Sequence, residues 1–278
     1  MDRSIVDLNV YREEVQTGLP AVRCDLDAAL ERQRFYDYDH EMYRSEFRRS
    51  SESGWDQKTR PHRSSGFLRE CVEVLCEHLY SPGPSRRFSE PSGDNFLQAV
   101  WSANHVNALM SEADVLSTLN DAAAIQIDAA SGDFAGRPIV YRLWGREQFH
   151  AWADPDNPTE AEAVVTVDRY DMRTRYRLWS ETEVWTFMTK RGDGTSGGRE
   201  AALVSKETHD YGCIPFAFVH YKLPIRQFFG SSVGTLLHAA EIRIDDRLSR
   251  LDEAIEKHLN PVAVGEGLPA TGFRCFSM

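Results

Sequence analysis

The chain has 278 residues, 41% of them hydrophobic and 27% charged, with a formal net charge of −11. That length can bury a real core, and the composition is that of an ordinary globular chain. The acidic balance argues against a protein whose main task is neutralising phosphates. No apolar run reaches the length of a membrane span, and the opening MDRSIVDLNVYREEV lacks the apolar core of a secretory signal.

Residues 1–24 hold Gly18 and Pro20 among mixed polarity and read as a loose arm. Residues 25–49, DLDAALERQRFYDYDHEMYRSEFRR, are helix-permissive, with Leu26, Leu30, Tyr36, Tyr43 and Phe47 roughly along one side. Residues 50–65 read as a polar loop. Arg44, Arg48, Arg49, Lys58, Arg60 and Arg63 make the one locally positive stretch, interleaved with Glu46, Glu52 and Asp56. That mixture reads as a solvated or salt-bridging face. Phe67 to Tyr80 predicts a helix, with Leu68, Cys71, Val72, Leu75 and Leu79 at three-to-four spacing. Ser64 or Ser65 supplies its cap, and Ser81-Pro-Gly-Pro stops it. Asp94 to Leu109 predicts another helix. Ser111-Glu-Ala-Asp114 has the form of a capping box opening a further one toward Asn120.

AAAIQIDA then reads as a short strand. From Arg137 the period changes to two. RPIVYRLW, AVVTVDRY, RTRYRLW and EVWTFMTK are rich in Val, Tyr, Trp and Thr and predict an antiparallel meander. Residues 191–200, RGDGTSGGRE, read as a flexible loop whose RGD tripeptide is coincidence. Ala201 to Thr208 reads as one more strand. In YGCIPFAFVHY, residues 211–221, Gly212 and Pro215 punctuate the start of a closing strand. Phe216 and Phe218 fall on one face of it, Ala217 and Val219 on the other. Pro215 cannot donate to a ladder, so it belongs at the strand's start or on an edge. Residues 231–261 carry the longest helical pattern. Leu237, Ala240, Ile244, Leu248, Leu251, Ile255 and Leu259 form its apolar stripe. Asp246–Arg250 and Glu253–Lys257 are i,i+4 pairs, and Pro261 ends the helix.

No catalytic signature stands out. The nine histidines include no H-E-x-x-H pattern and no i,i+4 pair, so His238 and His258 read as ordinary helix residues rather than metal ligands. Asp245 and Asp246 diverge by about 100° on a helix and read as solvated charge. Cys24, Cys71, Cys76, Cys213 and Cys275 are odd in number and loosely spaced, which fits reduced thiols. Cys71 and Cys76 read as small core residues. The glycines of residues 192–198 lack the phosphate-loop pattern, and no G-x-S-x-G occurs. The residues point to no cofactor, metal or enzyme chemistry. The rival readings are a small cytosolic enzyme with a Cys/His site around Cys213 and an adaptor that binds a peptide along a sheet edge.

The serial order of these stretches resembles bacteriophage portal proteins. FLRECVEVLCEHLYSPG looks like the family's early helix, and NFLQAVWSANHVNALMSEADVLSTLNDAAAIQIDA like its wing helices leading into a strand. The strands of 137–189 are similar to the wing sheet. Gly212, Ile214, Pro215, Phe216 and Phe218 match the closing "G-x-I-P" strand. Gly230-Ser-Ser232, the long helix and Asn260-Pro261 match the family's passage into its stem helix. The resemblance spans roughly residues 64–265. It implies an α+β chain with an N-terminal arm and helix (1–63), a wing-like domain (64–230), a stem-like helix (231–261) and a tail (262–278). It implies a structural subunit of a dodecameric ring, the DNA conduit of the capsid. The partners it implies are a terminase motor, capsid or scaffold proteins, and double-stranded DNA as passing cargo. The implied location is the virion's portal vertex, and host cytoplasm during assembly. Family members continue into a clip, a second stem helix and a crown, so the resemblance implies a truncated or prophage-derived form. Leu237, Arg243, Ile244, Arg247, Leu248, Arg250, Leu251 and Ile255 are the expected ring contacts.

Overall fold

The computed structural model describes residues 8–17, 20–39, 64–77, 91–129, 139–170, 173–189, 201–223 and 225–259. They form an α+β fold in two compact units, Met1–Asp39 with Gly66–Glu241, and His40–Ser65 with Ile242–Met278. The described elements are α1 (Asn9–Thr17), α2 (Pro20–Tyr36), α3 (Phe67–Glu77), α4 (Pro91–Ala103), α5 (Val106–Asn120), β1 (Ala122–Ala129), β2 (Ile139–Trp144), β3 (Phe149–Ala153), β4 (Ala161–Tyr170), β5 (Arg173–Trp179), β6 (Glu183–Thr189), β7 (Ala201–Thr208), β8 (Phe216–His220) and α6 (Val233–Leu259).

In the first unit the strands build two antiparallel sheets, β2-β1-β8 and β3-β4-β5-β6-β7. The expected meander holds for β4, β5, β6 and β7. It fails for RPIVYRLW, because β2 pairs with β1 over Ala124–Ala129 instead. The chain then crosses between sheets at Gly145–Gln148 and enters β3, a strand too short and too weakly alternating to announce itself. The sheets face each other. Trp144, Ala124, Phe216 and Phe218 of one meet Phe149, Ala151, Val164 and Trp179 of the other. Strand alternation sends Ala123, Ile125, Leu143 and Val219 to the opposite face, where Leu109, Met110, Ala113 and Leu116 of α5 cover them. On the far face of the larger sheet, Leu8, just before α1, and Val15 of α1 pack on Val165, Leu178, Trp185 and Phe187. The order is helix, sheet, sheet, helix.

The loose arm expected for residues 1–24 is corrected where it is described. Leu8 and Val15 are buried, the Tyr11 ring lies 4.8 Å from Trp152, and Trp152 Nε1 donates to Glu14 at 2.9 Å. Pro20 then opens α2, where its missing N–H costs nothing. This helix stops at Tyr36. Tyr38 adopts φ 58°, and Asp39 N–H reaches back to Arg34 O at 2.9 Å, a Schellman-type ending. Tyr43, Phe47 and the basic stretch from Arg44 to Arg63 lie outside the described residues.

The predicted break before Ser111 falls instead at Asn104–His105, with His105 left-handed at φ 49°. Ser111 sits inside α5, so its capping-box role is corrected. The true cause is tertiary. The Asn104 amide donates to Ile139 O at 2.9 Å and accepts Tyr141 N–H at 3.1 Å. One side chain thus satisfies the free edge of β2, as a further strand would. The helix yields a turn to place it there. Glu241 of α6 accepts Leu68 N–H at 3.2 Å, a carboxylate at a helix N-terminus.

In the second unit, Asp245 Oδ1 accepts Ser65 N–H at 2.8 Å. Asp245 is 0% exposed, which corrects its reading as solvated charge.

Candidate functional site

The joint between sheet and long helix is a hydrogen-bonded polar region of the first unit. It is built on Asp121, between α5 and β1, whose φ of 78° is a conformation few residues other than glycine adopt. Its backbone carbonyl accepts Tyr221 N–H at 2.8 Å. Its Oδ2 accepts Gly230 N–H at 2.5 Å. One residue therefore ties both ends of the 221–230 connection. Directly after it, Ser232 Oγ donates to Leu119 O at 2.8 Å and accepts Thr235 N–H at 3.2 Å. The serine of Gly-Ser-Ser is thus the N-cap of α6 and its anchor to α5. Gly234 lies so close to Leu119 that an added Cβ would stand 2.1 Å from the carbonyl oxygen.

YGCIPFAFVHY is ordered as its pattern predicts. Pro215 is buried before β8, an edge strand, and its carbonyl accepts Ile127 N–H at 2.9 Å. Phe216 and Phe218 face the larger sheet. From them an aromatic chain runs through Phe228 to Phe229, with ring centroids 4.8 and 4.9 Å apart. Phe229 carries the guanidinium of Arg146 over its ring at 3.7 Å.

Arg146 is 4% exposed. It donates to Phe149 O at 2.9 Å and to Asp25 Oδ2 at 3.2 Å, so it braces α2 and β3 while Phe229 stacks on it. Burial pushes its pKa down to about 10, which leaves it charged at neutral pH. Burial, and Arg146 beside it, push His150 down to about 3. A neutral His150 Nδ1 can then accept from Arg146 Nη2, 3.5 Å away. An open cleft of about 650 Å³ lies alongside, lined by Asp25, Trp152, Asp154, Arg226, Phe229 and Gly230 among others.

This arrangement braces α2, β3 and the 221–230 connection against one another. Both ring nitrogens of His209 and of His220 are buried without a hydrogen bond. Cys213 is exposed. Cys76 is buried, and burial raises its thiol to about 11, so it stays protonated. Cys71 is half-buried. Among the described residues, no group of three or more His, Cys, Asp or Glu could hold a metal. No described helix is long and apolar enough to cross a membrane.

The expected ring contacts all lie on α6. Leu237, Ile244 and Leu248 are half-buried, and Arg243, Arg247 and Arg250 are exposed. Leu251 and Ile255 are 56% and 45% exposed. Arg250 pairs with Asp246 at 2.9 Å, as its spacing predicts. The Lys257 side chain and residues 191–200 lie outside the described residues. Sequence reasoning missed Asp121, Asn104, Arg146 and Glu241. Only the serine cap of α6 left a signal, the Ser-x-x-Thr of Ser232–Thr235. No protein-family model matches this sequence, and no curated protein matches it.

Proposed function

We propose that the chain is a structural, ring-forming subunit of the phage-portal type, acting in genome packaging and head assembly rather than as an enzyme. The observation that carries this reading is α6. It leaves a braced joint and presents Leu251, Ile255 and Leu259 to solvent at 56%, 45% and 75% exposure. Exposed arginines stand beside them. An apolar stripe flanked by charge along 27 residues is a helix prepared for neighbours. Repeated head-to-tail contacts between copies close into a ring. In such a ring the chain serves as a conduit. Its acidic balance lets duplex DNA pass without being held, and the motor and capsid proteins are its partners. Size-exclusion chromatography with light scattering, followed by negative-stain imaging, tests the proposal. Closed rings of uniform diameter are expected. A monomer at every concentration overturns it.

A further inference from the structure

The mouth of the space between the two sheets holds a charge cluster that the ring reading does not use. On β5, Arg173-Thr-Arg-Tyr-Arg177 alternates with the strand period, so Arg173, Arg175 and Arg177 share a face. That face looks toward the smaller sheet. The Arg177 guanidinium lies 5.9 Å from the Trp144 ring of β2 and 5.8 Å from the Trp179 ring. Arg142 stands two residues before Trp144, on the same side of β2, and is exposed. Arg142 of the smaller sheet acts electrostatically on Arg177 of the larger, and Arg173, at the start of β5, donates to Met188 Sδ at 3.9 Å.

Among the described residues, Asp168, Asp128 and Glu207 share these inward faces, Glu207 standing on β7 opposite Val184, two strands away from β5. Asp168, opposite Arg175 in the register, accepts Arg175 Nε at 3.0 Å and Nη2 at 2.5 Å, and Arg177 Nη2 at 3.3 Å. Asp128, on β1, accepts the Tyr211 hydroxyl at 2.5 Å. The arginines repel one another. After burial, Arg175 is the next cause that lowers the Arg177 pKa, and Arg142 adds to it.

We propose that this mouth binds a phosphate dianion, free or as a small monoester, held by Arg142, Arg173 and Arg175 in front of Arg177. Among the described residues, the four arginines outnumber the carboxylates on these faces, and a phosphate dianion supplies twice the negative charge of a single carboxylate. Guanidinium forks from two directions match the oxygens of a phosphate group. A duplex backbone fits less well, because it needs a basic stripe over many phosphates, and the chain as a whole carries −11.

Calorimetric titration of the full chain with inorganic phosphate, against chloride at matched ionic strength, tests the site in monomer or ring alike. Saturable binding is expected. Arg142→Gln and Arg173→Gln, chosen at exposed positions and checked for fold by circular dichroism, should each weaken it about tenfold, the loss of one charge-assisted bond. Arg243→Gln on α6 should leave it unchanged. A short DNA duplex is titrated in parallel. No saturable phosphate heat, equal binding by wild type and Arg142→Gln, or binding of duplex without phosphate each overturns the assignment.

Discussion

Gly234→Ala reverses the usual sign of its substitution. In an ordinary helix, alanine in place of glycine stabilises by about 1 kcal/mol. Here the new Cβ would stand 2.1 Å from Leu119 O and 2.7 Å from its carbonyl carbon and Cα. These are backbone atoms of the last turn of α5, so no rotamer clears them. The first turn of α6 must slide away. Overpacking of this kind costs about 1–3 kcal/mol. The slide also stretches the Ser232–Leu119 bond of 2.8 Å and the Gly230–Asp121 bond of 2.5 Å, each worth about 1 kcal/mol. After the helix gain is deducted, the net loss is about 2 kcal/mol, which in a domain of this size lowers Tm by about 4–8 °C. Urea unfolding followed by tryptophan fluorescence should give a lower midpoint at unchanged slope. A Gly234→Ala protein as stable as wild type would refute the close approach of α5 and α6.

The other outcomes follow from single contacts. Asn104→Ala strips both bonds from the β2 edge and should cost about 1–3 kcal/mol; urea midpoints check it. His150 and His238 are pushed by burial from the ordinary 6.5 to about 3 and about 4. Between 6.5 and about 4 the unfolded chain takes up protons that the folded chain refuses, so stability falls as pH drops through that window. His238→Gln should flatten part of that slope, and an unchanged slope would remove His238 from the account. Burial raises the pKa of Asp245 above its ordinary value, so its ionised form weighs against folding, and stability falls as pH rises through the shifted pKa. Asp245→Asn keeps an acceptor for Ser65 N–H and sheds the buried charge. At neutral pH it should unfold at a higher urea concentration than Asp245→Ala, which orphans that amide.

Much of the fold is written in local periodicity. AVVTVDRY, RTRYRLW and EVWTFMT read as strands because their β-branched and aromatic residues fit a pleated, partly buried surface. Pro215 announces an edge because proline cannot donate. What stayed hidden depends on partners far away in sequence. Nothing around Asn104 says that a helix will break there, since the reason is the free edge of β2, 35 residues on. Two adjacent acids look solvated until the Ser65 amide, 180 residues earlier, is found against one of them. The arginine alternation of β5 was visible as a strand. Its meeting with Arg142 was not, because that requires two sheets rather than the single meander the pattern predicts.

The long helix is turned inside out relative to its sequence. Glu241, Asp245 and Ser249 recur every four residues and are 0%, 0% and 4% exposed. Ile244 and Leu248 stand one residue before Asp245 and Ser249, about 100° around the axis, and with Leu237 they are only half-buried. Further along, Leu251, Ile255 and Leu259 stand 56%, 45% and 75% exposed. Full burial of such a side chain is worth about 1.5–3 kcal/mol, so these three leave about 3–5 kcal/mol per copy unrealised. A second copy laid along the stripe would recover it and leave the polar seam where it is. Leu251→Asp and Ile255→Asp separate the two roles. Both positions are solvent-facing, so the isolated chain should keep its Tm within a degree or two, about 0.5 kcal/mol. Assembly should be lost, because each aspartate would enter an apolar contact unpaired. Light scattering on the purified variants decides between the roles. Variants that still assemble would take the stripe out of the interface, and variants that unfold would place it in the core of the single chain.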